Sequence, residues 1–383
     1  MLSTLGGDTF VHDYWQQCPL VVTGAWRSPP QFLGADELAG LATDPAIASR
    51  IVMGDTEAED WMIIEGPVTE TFFSDTPETD WQLTVHGVDR HVPVYAAVRE
   101  AFRFLPDWRF DAVAISYCVP GGTTGHNEDD ADLFFLQVSG DTDWSIHEPV
   151  ESAAGACGQS ARQAWNLRTG PGDLVYLPPY TGYYGVARTE GVTYCIRFRA
   201  PTPAELLRTW AQDRAQQLEH HADEIVNSQA PAANPAALPE ATRAQLRAAL
   251  RAYLDPSDRE LDEWLARYLT RPDETLDAEP TDSAPTSMAI REALAAGREL
   301  VVDPMARLAW LTTADNGVLL YVNGYPQPAP SSAQGVLVGF AQARRFTGAD
   351  LATADDAGVG AVVELLATGL RWGWLAFHDE LVG

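Results

Sequence analysis

The chain has 383 residues, 46% of them hydrophobic and 10% aromatic, which is enough for two or three domains with cores of their own. Its 25 basic residues are all arginine and stand against 54 acidic ones. The resulting formal charge of −29 would repel nucleic acid and anionic membrane, so neither is expected as a direct partner.

The segment Met1 to Trp15 has no basic stretch followed by an apolar one, and no run approaches the roughly 18 apolar residues that span a bilayer. A soluble cytoplasmic protein is expected. Cys18, Cys118, Cys157 and Cys195 are widely spaced without a C-x-x-C pair, which suggests neither a zinc site nor a disulfide framework. Acidic, lysine-free composition fits a saline cytoplasm and lineage codon bias equally, and neither bears on function.

Residues 1–110 mix short helical patterns, such as Ala35–Ala42, with short apolar strands, such as the one around Leu20 to Val22. From Asp111 to about Ala200 the pattern changes to closely spaced strands with Gly and Pro punctuation (AVAISYCV, DLFFLQVSG, TDWSIHE, GDLVYLPP, GVTYCIRF), the mark of a small barrel or sandwich. Pro201 to about Arg271 is helical and amphipathic, with a Pro/Ala-rich break at Ala230 to Pro239. Asp273 to Ser287 is acidic and poor in large apolar residues, hence a linker. Beyond it come a glycine-closed helix (MAIREALAAG), a hairpin turning at Asp315 to Gly317, and a helical tail.

Three strings in this order resemble the bacterial ribosomal oxygenases, JmjC-type enzymes that hydroxylate an arginine of a large-subunit ribosomal protein. LPDWRFDAVAISYCVPGG (Leu105 to Gly122) is similar to the segment before that family's first metal ligand, PGDLVYLPP (Pro171 to Pro179) to the segment before its last, and RFRAPTPAELL (Arg197 to Leu207) to the exit from its barrel. The resemblance implies an α+β protein built on a JmjC/cupin double-stranded β-helix barrel. It divides the chain into a barrel with an N-terminal α+β extension (1–200), a helical dimerisation region (201–272), the linker (273–287) and a winged-helix-like domain (288–383).

The family's chemistry needs two histidines and a carboxylate around Fe(II), with a cation for the far carboxylate of 2-oxoglutarate. In GHNEDDADLFF, His126 is present and Glu128 stands where the aspartate of a His-x-Asp pair is expected; the string is one residue long, so Asp129 is the alternative carboxylate through a bulge. The distal position is occupied by Tyr183 in PPYTGYYGVA, and a phenol with an ordinary pKa near 10 is a poor ligand for ferrous iron. His147, three residues after Trp144, is the one conceivable replacement nearby. The cation position falls on Thr142 between Asp141 and Asp143, which would repel a dicarboxylate.

Thr193, Cys195 and Arg197 alternate onto one face of the last strand, so Arg197 either receives an acid ligand or neutralises Glu128. The leading expectation is a non-catalytic or repurposed JmjC-fold binding protein without cofactor, in which His126, Glu128, Tyr183 and Arg197 form a metal-free polar cluster. The alternative is an active Fe(II)- and 2-oxoglutarate-dependent hydroxylase in which His126 with Glu128 or Asp129 holds iron. A homodimer and a basic protein partner, such as a ribosomal protein, are expected from the resemblance and from the charge. Outside this cluster, His86 and His91 are read as packing or substrate contacts, His220 and His221 as solvent-facing, and Trp108 and Trp144 as barrel packing.

Overall fold

The computed structural model describes residues 6–31, 33–55, 60–147, 165–219, 236, 238–254, 256–271, 285–303, 306–312, 317–327, 331–353 and 356–381. His220, His221, Cys157 and most of the expected linker fall outside them. The chain divides into two compact units, Met1–Ala200 and Pro201–Gly383.

The first unit is built on strands β1 (Leu20–Val22), β2 (Ser49–Asp55), β3 (Asp60–Glu65), β4 (Trp81–Val85), β5 (Phe110–Cys118), β6 (Asn127–Glu128), β7 (Asp132–Ser139), β8 (Thr142–His147), β9 (Trp165–Thr169), β10 (Leu174–Leu177), β11 (Gly182–Ala187) and β12 (Gly191–Phe198). They form an eight-stranded sheet in the order β1-β10-β7-β12-β5-β4-β2-β3 and a four-stranded sheet in the order β6-β11-β8-β9. All the strand pairs that define the two sheets are antiparallel.

β7 and β12 lie centrally in the large sheet and are buried on both faces, which is why DLFFLQV reads as a continuous apolar run rather than an alternating one. Phe134, Leu136 and Val138 join Tyr194, Ile196 and Phe198 in an outer core with Phe10, Leu38, Tyr95 and Phe102 of the N-terminal extension. The residues of opposite parity, Leu133 and Phe135, turn between the sheets and pack with Trp144, Ile146, Val175, Leu177 and Tyr183. The helix Ala35–Ala42 and strand Leu20–Val22 have the limits that their apolar patterns predict.

Cys118 and Cys195 are free thiols, whereas Cys18 is disulfide-bonded; the expectation of no disulfide is therefore corrected for that residue. Widely separated cysteines carry no sequence signal for such a bond because the fold alone sets their distance.

The second unit contains strands β13 (Leu300–Val302), β14 (Leu308–Thr312), β15 (Val318–Val322), β16 (Tyr325–Gln327), β17 (Arg345–Phe346) and β18 (Leu375–Phe377), in two three-stranded sheets. Its core is formed by Ile290, Leu294, Leu320, Val322, Leu337, Phe340, Leu366, Trp374 and Phe377. β14 and β15 pair as an antiparallel hairpin, and the greater part of its expected turn lies outside the described residues. Helix Asp258–Thr270 starts at a reciprocal cap in which Ser257 accepts from the Glu260 backbone and Glu260 accepts from Ser257. Among the described residues no helix is long and apolar enough to cross a membrane.

Candidate functional site

At the mouth between the two sheets, Asp129 joins the key side chains. Tyr183 donates its phenol to Asp129 Oδ2 at 2.9 Å, and Arg197 Nη1 donates to Asp129 Oδ1 at 2.7 Å. The same guanidinium reaches Asp130 at 3.0 Å and, through Nε, Asp111 at 3.1 Å. Arg199 lies 3.1 Å from Asp130. One arginine is thus shared by three carboxylates, each strong in geometry because both partners are charged.

The backbone explains each position. β12 brings Thr193, Cys195 and Arg197 to one face: Cys195 packs on the inner cluster and Thr193 donates to Gln137 at 3.2 Å. Arg197 pairs with Ala112 while Phe198 pairs with Phe110, so Asp111 is the extra residue of a bulge. A bulge re-aims a side chain, and here it delivers Asp111 to Arg197.

Strand phase separates the candidates from the other sheet. Tyr183 lies opposite Asn127 and Gly182 opposite Glu128, so Asn127 shares the Tyr183 face and Glu128 points the other way. His126 goes with Glu128: it stacks on Tyr184 with ring centroids 4.7 Å apart and stands 5.7 Å from Trp61. The expected cluster of His126, Glu128, Tyr183 and Arg197 is therefore split. Tyr183 and Arg197 meet through Asp129, the alternative carboxylate, and the pairing expected with Glu128 is made with Asp129, Asp130 and Asp111 instead.

His147, the conceivable replacement ligand, is exposed and lies opposite Gly182 on the outward face. Thr142 is buried beside Thr169, whose hydroxyl donates to the Thr142 carbonyl at 3.4 Å. His86 retains solvent exposure, yet desolvation by its surroundings lowers its pKa, with Glu65 and Asp129 opposing and Arg50 and Arg197 assisting. His91 is exposed. Trp108 is exposed too, while Trp144 is buried in the barrel.

Asn127, Asp111 and Asp130 were not singled out in the sequence. The phase of Asn127 leaves no trace in the sequence, because non-strand residues 129–131 separate β6 from β7 and alternation does not carry across them. The bulge that recruits Asp111 leaves none either.

Residues 97–206 match the model of the JmjC domain, and residues 245–371 match that of the ROXA-like winged helix. The ribosomal protein uL16 3-hydroxylase of Escherichia coli is 28% identical over 333 residues, covering 85% of this chain and 87% of that protein. This chain carries a JmjC domain and a ROXA-like winged helix and is homologous to that hydroxylase. The probable ribosomal oxygenase of Haemophilus influenzae is 27% identical over 211 residues, 52% of this chain and 51% of that protein. The structure of YcfD, a ribosomal oxygenase from Escherichia coli, superposes with a TM-score of 0.77 at 27% identity over 98% of both chains. Its complex with cobalt and 2-oxoglutarate gives 0.78 at 26% identity over 98% of this chain and 99% of that one. These likenesses make the fold a JmjC barrel followed by helical and winged-helix regions.

Homology raises the question of whether this site fits iron and 2-oxoglutarate. The inward face of β6 and β11 offers Asn127, Asp129 and Tyr183. Both oxygens of Asp129 are already engaged. Desolvation, then the charges on Asp129 and Cys195, drive the Tyr183 phenol well above its ordinary pKa, against which Arg197 acts only partly. Cys195 is pushed up to about 12, first by burial. Neither side chain favours the anion that a metal requires.

The space behind is filled by rings: Phe135 lies 4.8 Å from Trp144 and 5.2 Å from Tyr183. Asn127 spends its side-chain amide on the carbonyls of Thr124 and Gly125. Among the described residues no three His, Cys, Asp or Glu side chains are grouped to hold a metal ion. These residues do not fit the two-histidine, one-carboxylate iron site.

Proposed function

We propose that this chain is a JmjC-fold protein repurposed for binding, whose centre is an internal ion-pair cluster in place of iron and 2-oxoglutarate. The engagement of both Asp129 oxygens, one by Tyr183 and one by Arg197, carries this reading. A metal on Asp129 would have to stand beside the Arg197 guanidinium, 2.7 Å from Oδ1, and beside a phenol whose raised pKa disfavours the ligating anion. His126 and Glu128 are not at hand to compensate.

The relatives named for hydroxylating ribosomal protein uL16 suggest a ribosomal protein or another basic protein as partner. A formal charge of −29 supports that choice, since complementary charge speeds encounter. A homodimer through the helices after Pro201 belongs to the same reading. Helix Glu240–Leu254 has no buried side chain from Glu240 to Arg251, and Leu246 and Leu250 are exposed one turn apart. An isolated helix of this length is marginal in water and gains from a partner. The cytoplasm is the proposed compartment.

The decisive experiment is an anaerobic titration of the metal-stripped protein with ferrous iron and 2-oxoglutarate, following heat and the visible charge-transfer band, with the Escherichia coli relative as control. No band and no heat are expected. A band that appears here and disappears in Asp129→Ala would instead establish an active hydroxylase with a new ligand set.

A further inference from the structure

β3 ends the eight-stranded sheet, and among the described residues it pairs only with β2. Exposed edges normally carry charges, proline or a bulge, because unpaired N–H and C=O groups recruit another strand. β3 reads Asp-Trp-Met-Ile-Ile-Glu, with its two charges at the ends, and Met62 and Ile63 are 56% and 45% exposed.

Beside this edge stands a platform of three rings. Trp61 lies 6.0 Å from Tyr184 and 5.7 Å from His126, and His126 stacks on Tyr184. Gly54, opposite Trp61, has a φ of 143°, and a Cβ there would come within 2.4 Å of the Asp60 carbonyl, so glycine is what lets the hairpin close at this point. Exposed carboxylates accompany this edge: Glu65 shares the Trp61 face of β3, Glu128 lies two residues beyond His126 on the same face of β6, and Asp60 projects from the other face at the start of β3. Arg50, 3.7 Å from Glu65, is the cation on the neighbouring strand.

We infer that this edge docks an extended, arginine-bearing segment of a partner protein, which adds to β3 as a further strand. This rests on the binding reading above and gives it a surface. Main-chain hydrogen bonds to β3 would supply affinity independent of sequence, and alternate side chains would supply selectivity. Arginine suits the platform better than lysine because its planar guanidinium stacks on an aromatic face while donating to a carboxylate. Nucleic acid is disfavoured by the same acidic rim.

The test uses the full-length protein and a fluorescein-labelled peptide of alternating arginine and valine, followed by fluorescence anisotropy at two salt concentrations. Its companions are a glutamate-for-arginine peptide and two peptides with backbone N-methyl groups on either the arginines or the valines. Expected are saturable binding of the basic peptide alone, loss of about tenfold in affinity on methylating one set of residues but not the other, and a similar loss in Trp61→Ala.

The double variant Asp60→Arg/Glu65→Arg alters only exposed side chains and should also lose about tenfold, so the result does not depend on how Trp61→Ala folds. Absence of binding overturns the inference. So does binding that falls with salt but ignores both methylation and all three substitutions, which is diffuse attraction to an acidic protein. Failure of the binding reading itself appears separately, in the iron titration.

Discussion

The barrel contains the same trio of residue types twice, built on aspartates three residues apart along the chain. Asp132 accepts from Tyr176 at 2.6 Å and from Gln16 at 3.2 Å, with Arg109 at 3.9 Å. Asp129 accepts from Tyr183 and Arg197 at the mouth. The first trio is sealed: Asp132 and Tyr176 are each 1% exposed and tie the N-terminal extension to the sheet. The second is half-open, and its arginine is divided among three acids. A tyrosine–aspartate–arginine set is therefore a structural rivet in one setting and a charge-neutralising cap in the other. Solvent and the number of competing acids decide which.

The contrast predicts the largest loss for Tyr176→Phe, which strips a buried carboxylate of its shortest hydrogen bond. It should destabilise the protein by about 2–3 kcal/mol in urea unfolding, against under about 1 kcal/mol for Tyr183→Phe, where Arg197 remains on Asp129. Equal effects would dissolve the comparison.

Arg197→Ala comes next. Three carboxylates then face one another without a cation, costing about 1–2 kcal/mol at neutral pH. The deficit should shrink as added salt screens the repulsion among these part-exposed acids. A salt-independent deficit would mean that Arg197 acts by packing alone.

Asp132 sharpens the comparison from the other side. Burial raises its pKa above the ordinary value, against Tyr176, Gln16 and Arg109. Its contribution to stability is thus fully present below the ordinary carboxylate pKa and is lost as pH rises through the folded one. Asp132→Asn should remove that component, flattening the dependence of the urea midpoint over this window. The smallest effect is expected for His126→Ala, within about 0.5 kcal/mol, since the ring is exposed and its stacking is peripheral.

The barrel was legible in the sequence because its strands are short, apolar and punctuated, and because three strings carry the family's order. That Thr193, Cys195 and Arg197 share one face followed from alternation alone. The phase of β6 did not. His126 stands out by residue type, but the direction of its side chain is set by the register of β6 with β11, which puts Asn127 opposite Tyr183. The break at 129–131 hides that register from the sequence. Asp111 was beyond reach, because a one-residue bulge between paired strands exists only once the register is formed.

Arg197 also bears on what a metal centre at this mouth would require. A single change of Tyr183 to histidine would place an imidazole beside an aspartate already held by a guanidinium, with an amide still at position 127. Building a metal centre there, under the proposed reading, needs replacements at Asn127, Tyr183 and Arg197 together. Under that reading Arg197 couples the three positions, since a change at any one of them leaves either the guanidinium or the amide in the way of a metal.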